Sequence, residues 1–119
     1  MCNQKPAILL NTLTLLTLGL VSVLQAQNAW INEIHYDNAS TDTNEGVEVI
    51  IENVADYTLS DFVITLYNGS GGTSLSTHAL TTFTEGTTSN GFTLYYKMIG
   101  GIQNGAPDGL ALSYASNLI

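Results

Sequence analysis

Beyond residue 26, no stretch of this chain repeats its apolar residues every 3.6 positions over three turns, so no amphipathic helix is available to build a core. Alternation by two runs through it instead. Gly46-Val47-Glu48-Val49-Ile50-Ile51-Glu52 sets Val47, Val49 and Ile51 on one face and Glu48 and Glu52 on the other, as a half-buried antiparallel strand requires. Residues 61–67 do the same with Phe62, Ile64 and Leu66, and residues 110–114 with Leu110, Leu112 and Tyr114. Trp30-Ile31-Asn32-Glu33-Ile34-His35-Tyr36 reads as a strand with Trp30, Ile34 and Tyr36 inward, Ile31, Glu33 and His35 outward, and Asn32 the odd polar group on the inner face. Phe92-Thr93-Leu94-Tyr95-Tyr96-Lys97 groups Phe92, Leu94 and Tyr96 on one face, which leaves Tyr95, like Tyr67, turned outward.

The connections are rich in turn formers. Residues 53–61 are expected to be non-helical, Asn68-Gly69-Ser70-Gly71-Gly72 closes a strand with a glycine-rich turn, and Pro107 fixes φ inside a structured turn at residues 102–109. The glycine run has neither the spacing nor the following helix of a phosphate-cradling loop. Residues 73–80 read as a weak, polar edge strand and residues 81–91 as a long Thr/Ser/Gly loop. About six short strands separated by turns predict an all-β sandwich.

Residues 1–26 have the organisation of a secretory signal peptide, with Lys5 ahead of an apolar run and Leu24-Gln25-Ala26 at the cleavage position. An uncleaved anchor is the alternative, because the run is just long enough to span a bilayer. Cleavage after Ala26 releases residues 27–119 as one secreted, extracellular domain that touches a membrane only through the leader. Cys2, the single cysteine, leaves with it, so neither a disulfide nor a thiolate metal site is open to the rest. All ten acidic residues lie beyond residue 26, where Lys97 is the one lysine and there is no arginine. Such a surface repels phosphate backbones and excludes direct nucleic-acid binding as an expectation.

The loop Asp37-Asn38-Ala39-Ser40-Thr41-Asp42-Thr43-Asn44-Glu45 concentrates the polar chemistry. Asp37, Asn38, Asp42, Asn44 and Glu45 supply oxygen ligands for a calcium site, although their spacing is not that of an EF-hand. The competing reading is a solvated turn whose Asp and Asn side chains bond their own backbone. No other cofactor is indicated. Glu33, Glu48 and Glu52 read as a solvated sheet face on which strand pairing can bring two carboxylates opposite each other. His35 and His78 lack a Gly-x-Ser-x-Gly elbow or zinc-ligand spacing, so no catalytic residue is assigned and the chain is expected not to be an enzyme. The pair Tyr67 and Tyr95 is a candidate contact for sugar or protein.

Three blocks resemble one family. Residues 31–38 with Asp42-Thr43-Asn44-Glu45 and Val47-Glu48-Val49 are similar to the opening of bacterial lamin-tail domains. Leu66-Tyr67-Asn68-Gly69 and residues 102–112 resemble their middle and late blocks in the same order. The resemblance implies an immunoglobulin-like sandwich, non-catalytic, often near the N-terminus of secreted bacterial proteins that carry a nuclease or phosphatase domain further along. It therefore implies an adhesion, anchoring or spacer module that meets a surface protein or a polysaccharide. The alternatives are the front of a secreted nuclease or phosphatase whose catalytic domain lies beyond residue 119, and a calcium-dependent binder. Two departures carry expectations: Gly46 replaces a bulky aromatic, predicting weak packing there, and the chain stops short of the closing strands, predicting a truncated sandwich with an open edge.

Overall fold

A computed structural model describes residues 28–119. The leader assigned to residues 1–26 lies outside them. Eight strands form two antiparallel four-stranded sheets. Strands β1 (Ala29–His35), β2 (Gly46–Glu52), β6 (Phe92–Met98) and β5 (Thr84–Ser89) lie side by side in that order in the first sheet. The second sheet runs β4 (Thr73–Ala79), β3 (Phe62–Asn68), β7 (Gly109–Tyr114) and β8 (Asn117–Leu118). Three single 3-10 turns, Val54–Asp56, Leu59–Asp61 and Leu80–Thr82, carry the chain between sheets, and no α-helix occurs among the described residues. The described residues are all-β, as the alternation predicts.

The two inner faces share one apolar core. Val47, Val49 and Ile51 from β2 meet Phe62, Ile64 and Leu66 from β3 and Leu112 from β7, all buried, with Leu80, Ile99 and Ile102 closing the ends. Leu110 and Tyr114 pack against this cluster as the alternation of β7 requires. Around Phe62 an aromatic group forms: its ring centroid lies 4.5 Å from Tyr114 and 5.5 Å from Tyr57, and Tyr57 and Tyr114 stand edge-to-face at 5.4 Å.

Three expectations are corrected. In β1 the inward residues are Ala29 and Ile31, and Trp30 faces out. The pairing with β2 shifts between Ile31 and Glu33, so Asn32 is a bulged, exposed residue rather than an inward polar one. A bulge adds one residue and reverses the side-chain phase beyond it. Ile34 therefore pairs with inward Val47 but is left 40% exposed, and Tyr36, beyond the end of the strand, is 46% exposed, so neither joins the core as expected, and Trp30 does not either. In β6 the buried face is Thr93 and Tyr95, 2% and 3% exposed, not the outward tyrosine expected. Its register against β2 pairs Tyr95 with Val49 and Thr93 with Ile51, which sets that face inward. Finally, residues 84–89 are a strand, not a loop, and pair with β6 across a hairpin whose Asn90 and Gly91 have φ of 52° and 84°. Positive φ at both central positions is what a tight two-residue hairpin needs, and Asn-Gly supplies it. The weak strand β4 does lie at a sheet edge as expected.

The glycine at the start of β2 is tightly enclosed. A Cβ on Gly46 would stand 2.8 Å from the Lys97 carbonyl oxygen and 3.4 Å from Met98 Sδ, so the space an aromatic would fill is occupied by β6 itself. The end of the chain pairs as well: Asn117 and Leu118 meet Tyr114 and Ser113, and the Ile119 amide donates to the Leu112 carbonyl at 3.1 Å.

Candidate binding surface

The inner rim of the sandwich holds the polar tips of β6. Tyr95 donates its hydroxyl to Glu85 Oε2 at 3.3 Å, and Thr93 shares a 3.1 Å hydrogen bond with Thr88. Lys97 bonds the Thr82 carbonyl and hydroxyl at 3.2 and 2.9 Å and sits 5.9 Å from the centre of the Phe83 ring. These amphipathic side chains bury their stems in the core and keep their polar ends at the edge. Burial first, then the Glu85 charge and hydrogen bond, hold the Tyr95 hydroxyl above its ordinary pKa.

On the opposite rim His78 Nε2 lies 3.0 Å from Ser76 Oγ, on the inward side of β4. Burial chiefly, and the Lys97 charge next, lower its pKa from 6.5. The unfolded chain therefore takes up this proton before the folded one does, and stability rises with pH in that window. The contribution is complete above pH 6.5 and is lost as pH falls through the folded value. Melting temperature is expected to drop more between pH 7 and pH 5 in the native chain than in His78→Gln; parallel curves for the two would refute the assignment. His35 bonds Asn38 Oδ1 at 3.3 Å. Neither imidazole is hydrogen-bonded to a carboxylate among the described residues, so the orienting third group of a hydrolytic triad is not assembled by either.

The acidic loop is held by its own side chains. The Asn38 amide donates to Asp42 Oδ1 at 3.0 Å and Asn38 Nδ2 to the Thr43 carbonyl at 2.9 Å. Glu45 accepts from the Gly101 amide at 2.6 Å, while its own carbonyl accepts from Ile99, tying the loop to the segment after β6. Asn44 turns the chain with φ of 59°, and Asp37 is exposed. The five proposed calcium ligands thus lie in one loop, but Asp42 and Glu45 point their carboxylates at backbone amides. No group of three His, Cys, Asp or Glu side chains among the described residues converges to hold a metal ion. The Asp42 and Glu45 bonds are both open to solvent, so each contributes about 0.5–1 kcal/mol. Glu45→Ala is expected to lower the melting temperature, whereas adding calcium to the native chain should not raise it; a calcium-dependent rise that disappears in Asp42→Ala would decide for the metal reading of the loop.

The outer face of the first sheet is the most distinctive surface. Register places Trp30 across from Ile50 and Ile50 across from Leu94 in one row, then Glu33, Glu48 and Tyr96 in the next, then His35, Gly46 and Met98. Trp30 packs edge-on against Phe92 at 5.8 Å. Phe92, Tyr96 and Met98 remain 38%, 41% and 56% exposed. Where the last two rows meet there is an open concavity of about 420 Å³. Sequence reasoning located Glu33 and Glu48 on one face and allowed for their juxtaposition. It missed Trp30 and placed the exposed tyrosine one residue early, at Tyr95 rather than Tyr96; Tyr67, 38% exposed on the second sheet, is outward as expected.

The fold and this surface define a two-sheet, all-β domain with an aromatic outer face. Compared with known proteins, the chain matches no family model, no curated protein and no solved structure.

Proposed function

We propose that this protein is an exported, non-catalytic, immunoglobulin-like module of the lamin-tail type that serves adhesion, anchoring or spacing. Its ligand, a surface protein or a polysaccharide, is met by the outer face of the β1–β2–β6–β5 sheet. The observation that carries the reading is the run of exposed aromatic and apolar side chains there, Phe92, Tyr96 and Met98 beside Trp30, on a face that a simple solvated sheet would fill with polar groups. The unassembled histidine sites favour binding over catalysis, and the hydrogen-bonded acidic loop serves as a structural turn.

The test is binding of the purified full chain to arrays of surface polysaccharides and surface proteins. Native protein should bind a discrete set, and the double variant Phe92→Ser/Tyr96→Ser should lose that binding while melting within a few degrees of native, since both side chains are exposed. Binding that survives the double substitution would remove this face from the reading.

A further inference from the structure

The concavity on the outer sheet face has a chemistry more specific than an aromatic patch. It is lined by Glu33, His35, Glu48, Tyr96 and Met98, with the buried Gly46 beneath them. Glu33 and Glu48 are direct cross-strand partners, and Tyr96 is the partner of Glu48 on its other side. Directly opposed side chains on paired strands have Cβ atoms about 4.5–5.5 Å apart, so both carboxylates and the phenol ring address one small volume. Like charges so placed are destabilising by themselves.

Little in the described chain offsets them. Asn32, the bulged residue of β1, donates one amide hydrogen bond to Glu48 Oε2 at 3.0 Å. Lys97 borders the concavity, but its ammonium is held by Thr82 on the inner side of the sheet. Among the described residues there is no other lysine and no arginine. Glu52 adds a third carboxylate to the same face, across from Phe92.

We infer that this concavity receives an arginine side chain of a partner protein, with an adjacent apolar residue of that partner lying on Trp30, Ile50 and Leu94. This rests on the outer face being the binding surface and names the chemistry of its ligand. Charge complementarity selects a cation, and the arrangement selects arginine over lysine. A planar guanidinium stacks on Tyr96 while its N–H fork reaches two carboxylates, which a compact ammonium cannot do at once. The row of Trp30, Ile50 and Leu94 continues directly from the acidic row and supplies the apolar contact.

The test is amide-resolved NMR titration of the full chain with the peptide acetyl-Ala-Arg-Leu-amide, its citrulline counterpart, and a neutral oligosaccharide. The arginine peptide should shift the amides of Gly46, Glu48 and Tyr96 saturably. Citrulline keeps the shape and loses the charge, so affinity should fall about tenfold or more, as should affinity for arginine in Glu48→Gln. Equal affinity for the arginine and citrulline peptides, or no shift at the face with millimolar arginine peptide, overturns the inference. If the neutral oligosaccharide shifts these amides and the arginine peptide does not, the arginine assignment falls and the binding face stands. If the array experiment shows that the face binds nothing, the broader reading falls instead.

Discussion

Replacing Phe62 by alanine is expected to lower the melting temperature by about 15–30 °C. Phe62 is 1% exposed and opens β3 at the point where the second sheet meets the turns that arrive from the first. Its ring is enclosed by Tyr57 and Tyr114, and the tyrosines are themselves held in place: Asn28 Nδ2 donates to the Tyr57 hydroxyl at 2.9 Å and the Thr58 amide to the Tyr114 hydroxyl at 3.5 Å. Removing a buried phenyl costs about 3–5 kcal/mol, the lost transfer energy plus a cavity that rigid neighbours fill only in part. A domain of this size holds only roughly 5–10 kcal/mol in total. Phe92→Ala provides the contrast. That side chain is 38% exposed, and its loss should move the midpoint by no more than about 5 °C. Calorimetric melts of the two variants check the difference, and similar midpoints would mean that the aromatic group around Phe62 is not the centre of the core.

Gly69→Ala should be nearly as damaging, for a different reason. Gly69 lies where the β3–β4 turn touches the loop before β7, and a Cβ there would overlap the Pro107 carbonyl group and ring. Those are mostly backbone atoms, which cannot rotate aside. The Gly69 amide also donates to Asp108 Oδ1 at 3.0 Å, and Asp108 closes its own turn on the Gly105 carbonyl at 2.7 Å. Forcing the two loops apart loses the charge-assisted bond along with the contact, about 2–4 kcal/mol together. Protease cleavage within residues 102–108 should become faster as that loop is released. Gly109→Ala serves as control, since nothing lies within 4 Å of its Cβ position and its cost should be small. Equal destabilisation of the two variants would show that glycine content, not the contact with Pro107, sets the effect.

How far the sequence is legible depends on how each strand meets its surroundings. Strands β2, β3 and β7 read directly because each has one face in the core, and their inward apolar residues recur at every second position without a change of phase. Strand β1 reads only in part, because the bulge at Asn32 changes phase within the strand and nothing in the local composition marks it. Strand β6 carries large side chains on both faces. Apolar alternation favours Phe92, Leu94 and Tyr96, yet the buried set is Thr93 and Tyr95, whose polar ends find Thr88 and Glu85 at the rim. Strand β5 is exposed at every position, so it has no alternation to find. Its one signal was Asn90-Gly91, the turn dipeptide of a tight hairpin, set within a threonine-rich stretch that otherwise resembles a loop.

The candidate site divides in the same way. Residue chemistry along the chain was enough to mark an acidic loop, an acidic sheet face and the absence of a catalytic motif. Whether the loop's carboxylates face a cation or their own backbone depends on distances between residues as far apart as Glu45 and Gly101, and only the folded chain brings these together. The sequence by itself determined the all-β class, because period-two burial is a local property of each strand. The tertiary structure decided which residues share the outer face of the first sheet. Pairing register and one bulge select the side on which Trp30, Glu33, Glu48 and Tyr96 meet, and register is settled by the burial of β2 and β6 against the opposite sheet rather than by either strand alone.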